Sequence, residues 1–381
     1  MKHRTVIWLT LLLCTSAGSQ AAPSAKAVED AAWKSFQDLK QFTAHGGYLW
    51  WYSTDGQLRA GEGSDLVERS VIWVQPPGTP TVGLALLRLY DATHDPRYLT
   101  AAAEAGEALA WGQLATGGWT AYIDFENKYG RPLHYRRDFE NGDKKPGKRF
   151  DASSFDDDIT QAAVRLLLEL DARLKGTRPA ITHALQYALD HILAAQFKNG
   201  GWPQCFDLEL DRDRPDLPLT CPNPWPRERP GGRSYWYDYT INDDAMVNTI
   251  DTLLLAHRLT GDEKYSSRRS APATGCWPPG CRTRTRSGRS STTRRCGRPG
   301  PASGNPPTAT TLETVGILQR LETLWLLTGD EKYRAPLQPA LDWFRKVRRP
   351  DGTWSRYYEL FTNRPSFMVL TGKKGVRADV R

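Results

Sequence analysis

Apolar residues recur at helical spacing in a series of runs along the chain. The first run, residues 27–44, places Ala32, Trp33, Phe36, Leu39 and Phe42 on one side. After Gly46-Gly-Tyr-Leu-Trp-Trp51 the pattern becomes an internal repeat, which outranks local readings. Helix starts fall at Gln75-Pro-Pro-Gly-Thr-Pro-Thr-Val82, Phe155-Asp-Asp-Asp-Ile-Thr160, Asn242-Asp-Asp-Ala-Met-Val247 and Thr311-Leu-Glu-Thr-Val315. Three of these runs end in matching turns, His94-Asp-Pro-Arg-Tyr98, Gly261-Asp-Glu-Lys-Tyr265 and Gly329-Asp-Glu-Lys-Tyr333. Glycine suits a helix C-terminus, and aspartate caps the next helix. Second helices are predicted at Leu99–Leu114, His183–Gln196 and Leu337–Val347. Each closes on a Gly-Trp turn: Gln113-Leu-Ala-Thr-Gly-Gly-Trp119, Gln196-Phe-Lys-Asn-Gly-Gly-Trp202 and Arg348-Arg-Pro-Asp-Gly-Thr-Trp354. From tyrosine to tryptophan is 21 residues in the first repeat and again in the last.

Helix pairs repeated around an axis predict an all-α fold, an α/α toroid or incomplete (α/α) barrel. The N-termini of its inner helices gather at one mouth, where their positive dipole ends favour acidic groups and bound anions. Long connections at 120–154 and 203–240 carry Tyr129, Tyr135, Arg136, Arg137, Trp225, Tyr235, Trp236 and Tyr237. Loops of that length are usually functional.

The chain opens like a secretory signal over 1–21: Lys2 and Arg4, the apolar run Val6 to Leu13, then Ser19-Gln-Ala21. No run is long enough to span a membrane. A secreted or periplasmic protein with one domain over 22–381 is expected, acting as a monomer. The net charge of +8 is misleading: residues 266–307 hold nine arginines and no Asp, Glu or Lys, so the remainder carries −1. That removes the case for a nucleic-acid partner. Cys205 and Cys221 could form one disulfide across a loop in an oxidising compartment, or stay free.

The same segment breaks the repeat. Residues 266–307 contain no Leu, Ile, Val, Met, Phe or Tyr, and the 21-residue spacing counted from Tyr265 lands on Arg286. A disordered basic linker is one reading. An out-of-frame translation between two compensating changes explains better why the pattern resumes at Thr311.

Two constellations suggest chemistry. Asp156, Asp157 and Asp158, and again Asn242, Asp243 and Asp244, oversupply a helix start that needs one capping residue. The bland reading is capping plus solvated carboxylates; the functional one is an acidic site for a hard cation such as Ca2+. Arg356 and Arg364 stand among aromatics in Trp354-Ser-Arg-Tyr-Tyr-Glu-Leu-Phe-Thr-Asn-Arg-Pro365, either as a tail packed on the ring or as forks for a carboxylate-bearing sugar. The Gly-Trp turns read mainly as structural plugs, with Trp119 and Trp202 also available to stack on sugars.

Taken together, Gly200-Gly-Trp-Pro-Gln204, Thr240-Ile-Asn-Asp-Asp-Ala-Met-Val247, Glu313-Thr-Val-Gly-Ile317 and Arg356-Tyr-Tyr-Glu-Leu-Phe-Thr-Asn-Arg-Pro365 resemble the family-10 polysaccharide lyases, the α/α-toroid pectate lyases. The resemblance runs from about residue 46 to 367. It implies calcium-assisted β-elimination on polygalacturonate or a related uronan. By similarity Asp156 and Asp243 fall on active-site carboxylates, with Asp244 completing the cation set and Asn242 beside it. Arg356 falls on an arginine that binds substrate, with Arg364, Tyr357 and Trp202 as further sugar contacts. The family's base, an arginine shortly before the Glu-Thr-Val-Gly motif, has no counterpart in Ala302-Ser-Gly-Asn-Pro-Pro307, so little or no turnover is expected. The Gln-x3-Gly-x-Trp turns and the Asp-rich start also resemble squalene-hopene-type terpene cyclases. A non-catalytic acidic-polysaccharide-binding toroid and a hydrolase using the aspartate pairs are the other readings.

Resequencing codons 266–307 and translating all frames is expected to return a helix-like run and an Arg–aromatic–Glu–Pro-Pro stretch leading into Thr311. If the DNA stands and no frame restores it, the out-of-frame reading is wrong.

Overall fold

A computed structural model of the protein describes residues 23–62, 66–197, 200–208, 237, 242–265, 308–359, 362–371 and 375–380. The expected signal over 1–21, Cys221, Trp225, Tyr235, Trp236 and the segment 266–307 lie outside the described residues. The chain divides into two compact units, one ending at Thr43 and one running from Ala44 to Arg381. In the first, helix α1 (Ala25–Lys40) is capped by the Ser24 hydroxyl and buries Phe36 against the Trp33 ring.

The second unit holds the repeat. Inner helices α2 (Thr79–Thr93), α5 (Ile159–Leu174), α7 (Ala245–Thr260) and α8 (Thr311–Thr328) pack in that order, each on the next. Outer helices α3 (Pro96–Trp111) and α6 (Pro179–Ala194) back α2 and α5, and α10 (Leu337–Val347) backs α8. Two short helices, α4 (Arg136–Glu140) and α9 (Glu331–Arg334), complete the set. Among the described residues, α7 alone of the inner helices has no outer partner, where the sequence pattern fails. This is the α/α toroid expected.

Short strands occupy the connections. Three two- and three-residue pairs hold the loops: β1 (Trp51–Tyr52) pairs with β2 (Arg59–Ala60), β3 (Val71–Trp73) with β4 (Tyr122–Asp124), and β5 (Ser153–Ser154) with β6 (Cys205–Phe206). β7 (Thr308–Thr310), β8 (Tyr357–Glu359), β9 (Pro365–Thr371) and β10 (Gly375–Val380) form an antiparallel sheet in the order β10-β9-β8-β7. The C-terminal stretch, read as either a packed tail or a set of sugar-binding forks, contributes strands to this sheet, and the pairing of Thr310 with Tyr357 brings it to the start of α8.

The turns between helices repeat in atomic detail. α2, α7 and α8 end in left-handed residues His94, Gly261 and Gly329. One residue later Asp95, Asp262 and Asp330 accept from the backbone N–H groups of Arg97, Lys264 and Lys332. Tyr98, Tyr265 and Tyr333 are fully buried. At the other end, the indole N–H groups of Trp119, Trp202 and Trp354 donate to carbonyls ten residues back, on Leu109, Ile192 and Phe344, at 2.8–2.9 Å. Gly117, at φ +93°, makes the first of these turns, and a Cβ on Gly118 would stand 2.6 Å from the Thr160 hydroxyl. These positions thus need glycine.

Trp202 is 1% exposed, which corrects the expectation that it contacts sugar. Its ring fills the space between helices, and its one polar group is taken. Trp202→Phe should cost about 1–3 kcal/mol in denaturant unfolding, because the Ile192 carbonyl loses its buried donor, and should leave sugar affinity unchanged. Lost affinity at full stability would restore the stacking role.

Candidate active site

The inner helix starts converge through the same unusual backbone. Before α5, Asp157 and Asp158 have φ 47° and 63°; before α7, Asp243 and Asp244 have φ 49° and 53°. Non-glycine residues take this left-handed region rarely, and aspartate is among the few that tolerate it. Two such residues in succession at two helix starts mark strain of the sort found at functional sites. The aspartates also do not cap: neither Asp158 nor Asp244, at the cap positions, accepts from the backbone N–H groups of its helix's first turn. Capping, the bland reading of the clusters, fails on this geometry.

The turns point their carboxylates at one another. Oxygens of Asp156, Asp157 and Asp243 lie within 4.8 Å of one another. Burial, then the charges of Asp157 and Asp243, push the Asp156 carboxyl up to about 7. Asp156 Oδ1 is buried with no hydrogen-bond partner of its own, while the Gln204 side chain, 2% exposed, donates to the Asp156 carboxyl. Three clustered carboxylates, one with an orphaned buried oxygen, are an all-oxygen donor set of the kind a hard cation takes. Asp156, Asp157 and Asp243 are the residues that could hold such a cation.

The remaining expected residues separate. Asp244, expected in the cation set, faces Glu313 instead. Burial first and the Glu313 charge second raise its carboxyl above the usual range. A Cβ on Gly316 would approach Asp244 Oδ1 to 3.3 Å, so the glycine of the Glu-Thr-Val-Gly motif leaves room for that side chain. Glu313, 4% exposed, takes the Thr310 hydroxyl and lies 3.6 Å from Arg356 Nη2. The Arg356 guanidinium is half exposed above the Tyr357 ring, 5.2 Å from its centroid. Asn242 opens the turn before α7. Arg364 is exposed in the connection from β8 to β9, and its side chain joins none of these contacts among the described residues.

Polar bridges between neighbouring inner helices hold the mouth together. Gln161 of α5 donates to the carbonyls of Phe155 and Ala245 at 2.9 and 3.0 Å. Arg165 pairs with Asp158 and reaches the Thr252 hydroxyl on α7 at 3.0 Å. Arg320 of α8 grips Asp251 of α7.

The long 120–154 connection is used internally. Arg137 lies between the Trp111 and Tyr135 rings, 3.5 and 4.1 Å from their centroids. Arg136 is 8% exposed and paired with Glu140 at 2.9 Å. Tyr135 is fully buried. These residues brace the loop rather than offering themselves to a ligand.

Fold and mouth together define an α/α-toroid protein with a carboxylate site at its helix starts. Residues 128–269 match the family model described as Pectic acid lyase, which bears out the resemblance to the family-10 polysaccharide lyases. The match covers the first aspartate cluster and the second, and stops just inside the anomalous segment. Among solved structures, a family 10 polysaccharide lyase from Cellvibrio cellulosa is 17% identical, covering 69% of this chain and 79% of that one with a TM-score of 0.44. A mutant of that lyase in complex with trigalacturonic acid is 15% identical, covering 76% and 85% with a TM-score of 0.45. A cellobiose 2-epimerase from Bacillus thermoamylovorans is 12% identical over 88% of this chain and 75% of that one, with a TM-score of 0.51, a likeness of fold. None of the curated proteins matches the chain.

The raised Asp156 carboxyl fixes the sign of a pH effect. A folded-state value of about 7 against an ordinary 3.8 means that the folded protein holds a proton the unfolded chain releases. Without cation, stability should therefore fall as pH rises from about 4 to about 7, by on the order of a few kcal/mol. Asp156→Asn, which suits the backbone there, should flatten that fall in thermal unfolding followed across pH. An unchanged slope would place the titration elsewhere.

Proposed function

We propose that the protein is an exported polysaccharide lyase, acting as a monomer on polygalacturonate or a related uronan by calcium-assisted β-elimination. The observation that carries this is the pair of left-handed aspartate turns whose carboxylates meet, with one buried oxygen of Asp156 left unpartnered. The pectic acid lyase match over 128–269 supports the substrate class. No helix among the described residues is long and apolar enough to cross a membrane, which fits an exported protein.

In β-elimination a base takes the C5 proton, electrons move into a C4–C5 double bond, and the C4 oxygen leaves with the departing sugar. The chain must lower the cost of negative charge at the uronate carboxylate. When bound, calcium would supply part of the positive charge that offsets it. Arg356 would supply the rest: its half-exposed guanidinium, beside Glu313 and above the Tyr357 ring, has donors to offer a carboxylate. Asp156, Asp157 and Asp243 would hold the cation, and the bridges of Gln161 and Arg165 fix the distance between the two aspartate turns.

The base is the weak point. The stretch where the family carries its arginine reads Ala302-Ser-Gly-Asn-Pro-Pro307, outside the described residues. That favours a second reading, a toroid that binds acidic polysaccharide and turns it over slowly or not at all. Both readings share the cation and Arg356.

Polygalacturonate affinity should require calcium and vanish with a chelator, and Arg356→Ala should weaken it about 10–100-fold, the worth of a charged hydrogen-bonded pair. Unsaturated product, followed by its ultraviolet absorbance, should accumulate only slowly with the sequence as given. Binding indifferent to chelator and to Arg356→Ala would sink both readings; saturated products would point to a hydrolase.

A further inference from the structure

The first repeat brings no aspartate to the mouth. It brings Gln75, four residues before α2, and that side chain is 4% exposed. Gln75 Nε2 donates to Asp157 Oδ2 at 3.0 Å. Its Oε1 accepts from the Trp73 indole N–H at 3.2 Å. An indole N–H donates only. The Trp73 contact therefore fixes which end of the amide is oxygen and leaves the amine end facing Asp157.

The Gln75 backbone is clamped as tightly. Its carbonyl accepts from the Trp50 indole at 2.8 Å and from the Gly78 N–H at 2.9 Å. A Cβ on Gly78 would come within 2.3 Å of the Trp73 carbonyl and 2.9 Å of the Gln75 carbonyl, so the loop closes this far only around glycine. Trp73, 6% exposed, is held by packing in the cluster of Leu49, Val67 and Val71.

Asp157 needs such a partner. It is exposed, sits in the left-handed region and shares a few ångströms with two other carboxylates that repel it. A donor on Asp157 Oδ2 opposes that repulsion and fixes the orientation of the carboxylate.

We propose that Gln75, locked by Trp73, is a positioning residue for the cation site: it holds Asp157 as a ligand and so sets calcium affinity from the neighbouring repeat. The proposal rests on the calcium reading given above. Partners that orient a metal's ligands typically contribute 10–100-fold to affinity.

The test is calcium titration by calorimetry on the full chain, with no polysaccharide present. Gln75→Met keeps length and volume but removes both amide contacts, and should weaken calcium about 10–100-fold. Trp73→Phe removes only the indole donor and should give a smaller loss in the same direction. Thermal unfolding in chelator checks that both variants fold. If Gln75→Met does not fold, Trp73→Phe alone carries the test. Native affinity in a folded variant overturns the positioning role while leaving the calcium site in place. Absence of calcium binding by the native chain overturns the cation reading and this inference with it.

Discussion

Mutual repulsion among clustered carboxylates is the constraint on which the mouth of this toroid depends. Asp156, Asp157 and Asp243 stand closer than separate anions in a half-buried site would choose, and Asp156 responds by holding its proton to about 7. A fold keeps such a group only if the surrounding structure over-determines it. Here the over-determination is visible: two double left-handed turns, the Gln161 and Arg165 bridges across α5 and α7, and the Gln75 clamp from the first repeat. Removing one carboxylate would relieve the free protein. The strain makes sense as a cost of function rather than of stability.

The toroid supplies what a single helix pair lacks. Each repeat contributes one helix start to the same place, so residues separated by more than 80 positions in sequence meet in one cradle. The repeated turns carry the stability side of this arrangement. Buried tyrosines and tryptophans, each with its polar atom or packing role assigned, fix the spacing of the pairs, and the mouth inherits its geometry from them.

Much of this was legible in the chain. Helix pairs, their turns and the convergence of the aspartate clusters follow from periodicity and from glycine, aspartate and tryptophan at fixed offsets. The aspartate stretches were read as helix caps or ligands; the backbone shows a third role, since short acidic side chains also permit the left-handed turns that aim them. What escaped was non-local. Gln75 opens a helix-start motif without an assigned role, Gln204 lies inside a Gly-Trp-Pro-Gln motif likewise, and Asp157 is one of three equals. Nothing local distinguishes them, because each matters through a partner in another repeat. The reverse holds at Trp202, a turn residue expected to contact sugar, and at Arg136 and Arg137, whose long connection suggested a functional loop: their partners are inside the protein.

The most direct test of the account is the unfolding temperature of the native chain at pH 8 with calcium and with chelator. If the three carboxylates form a cation site, calcium must raise stability by mass action, about 2.7 kcal/mol at a hundred times its dissociation constant, and Asp156→Asn must erase the effect. A transition that calcium does not move would mean that these carboxylates are held together for some purpose other than binding a cation.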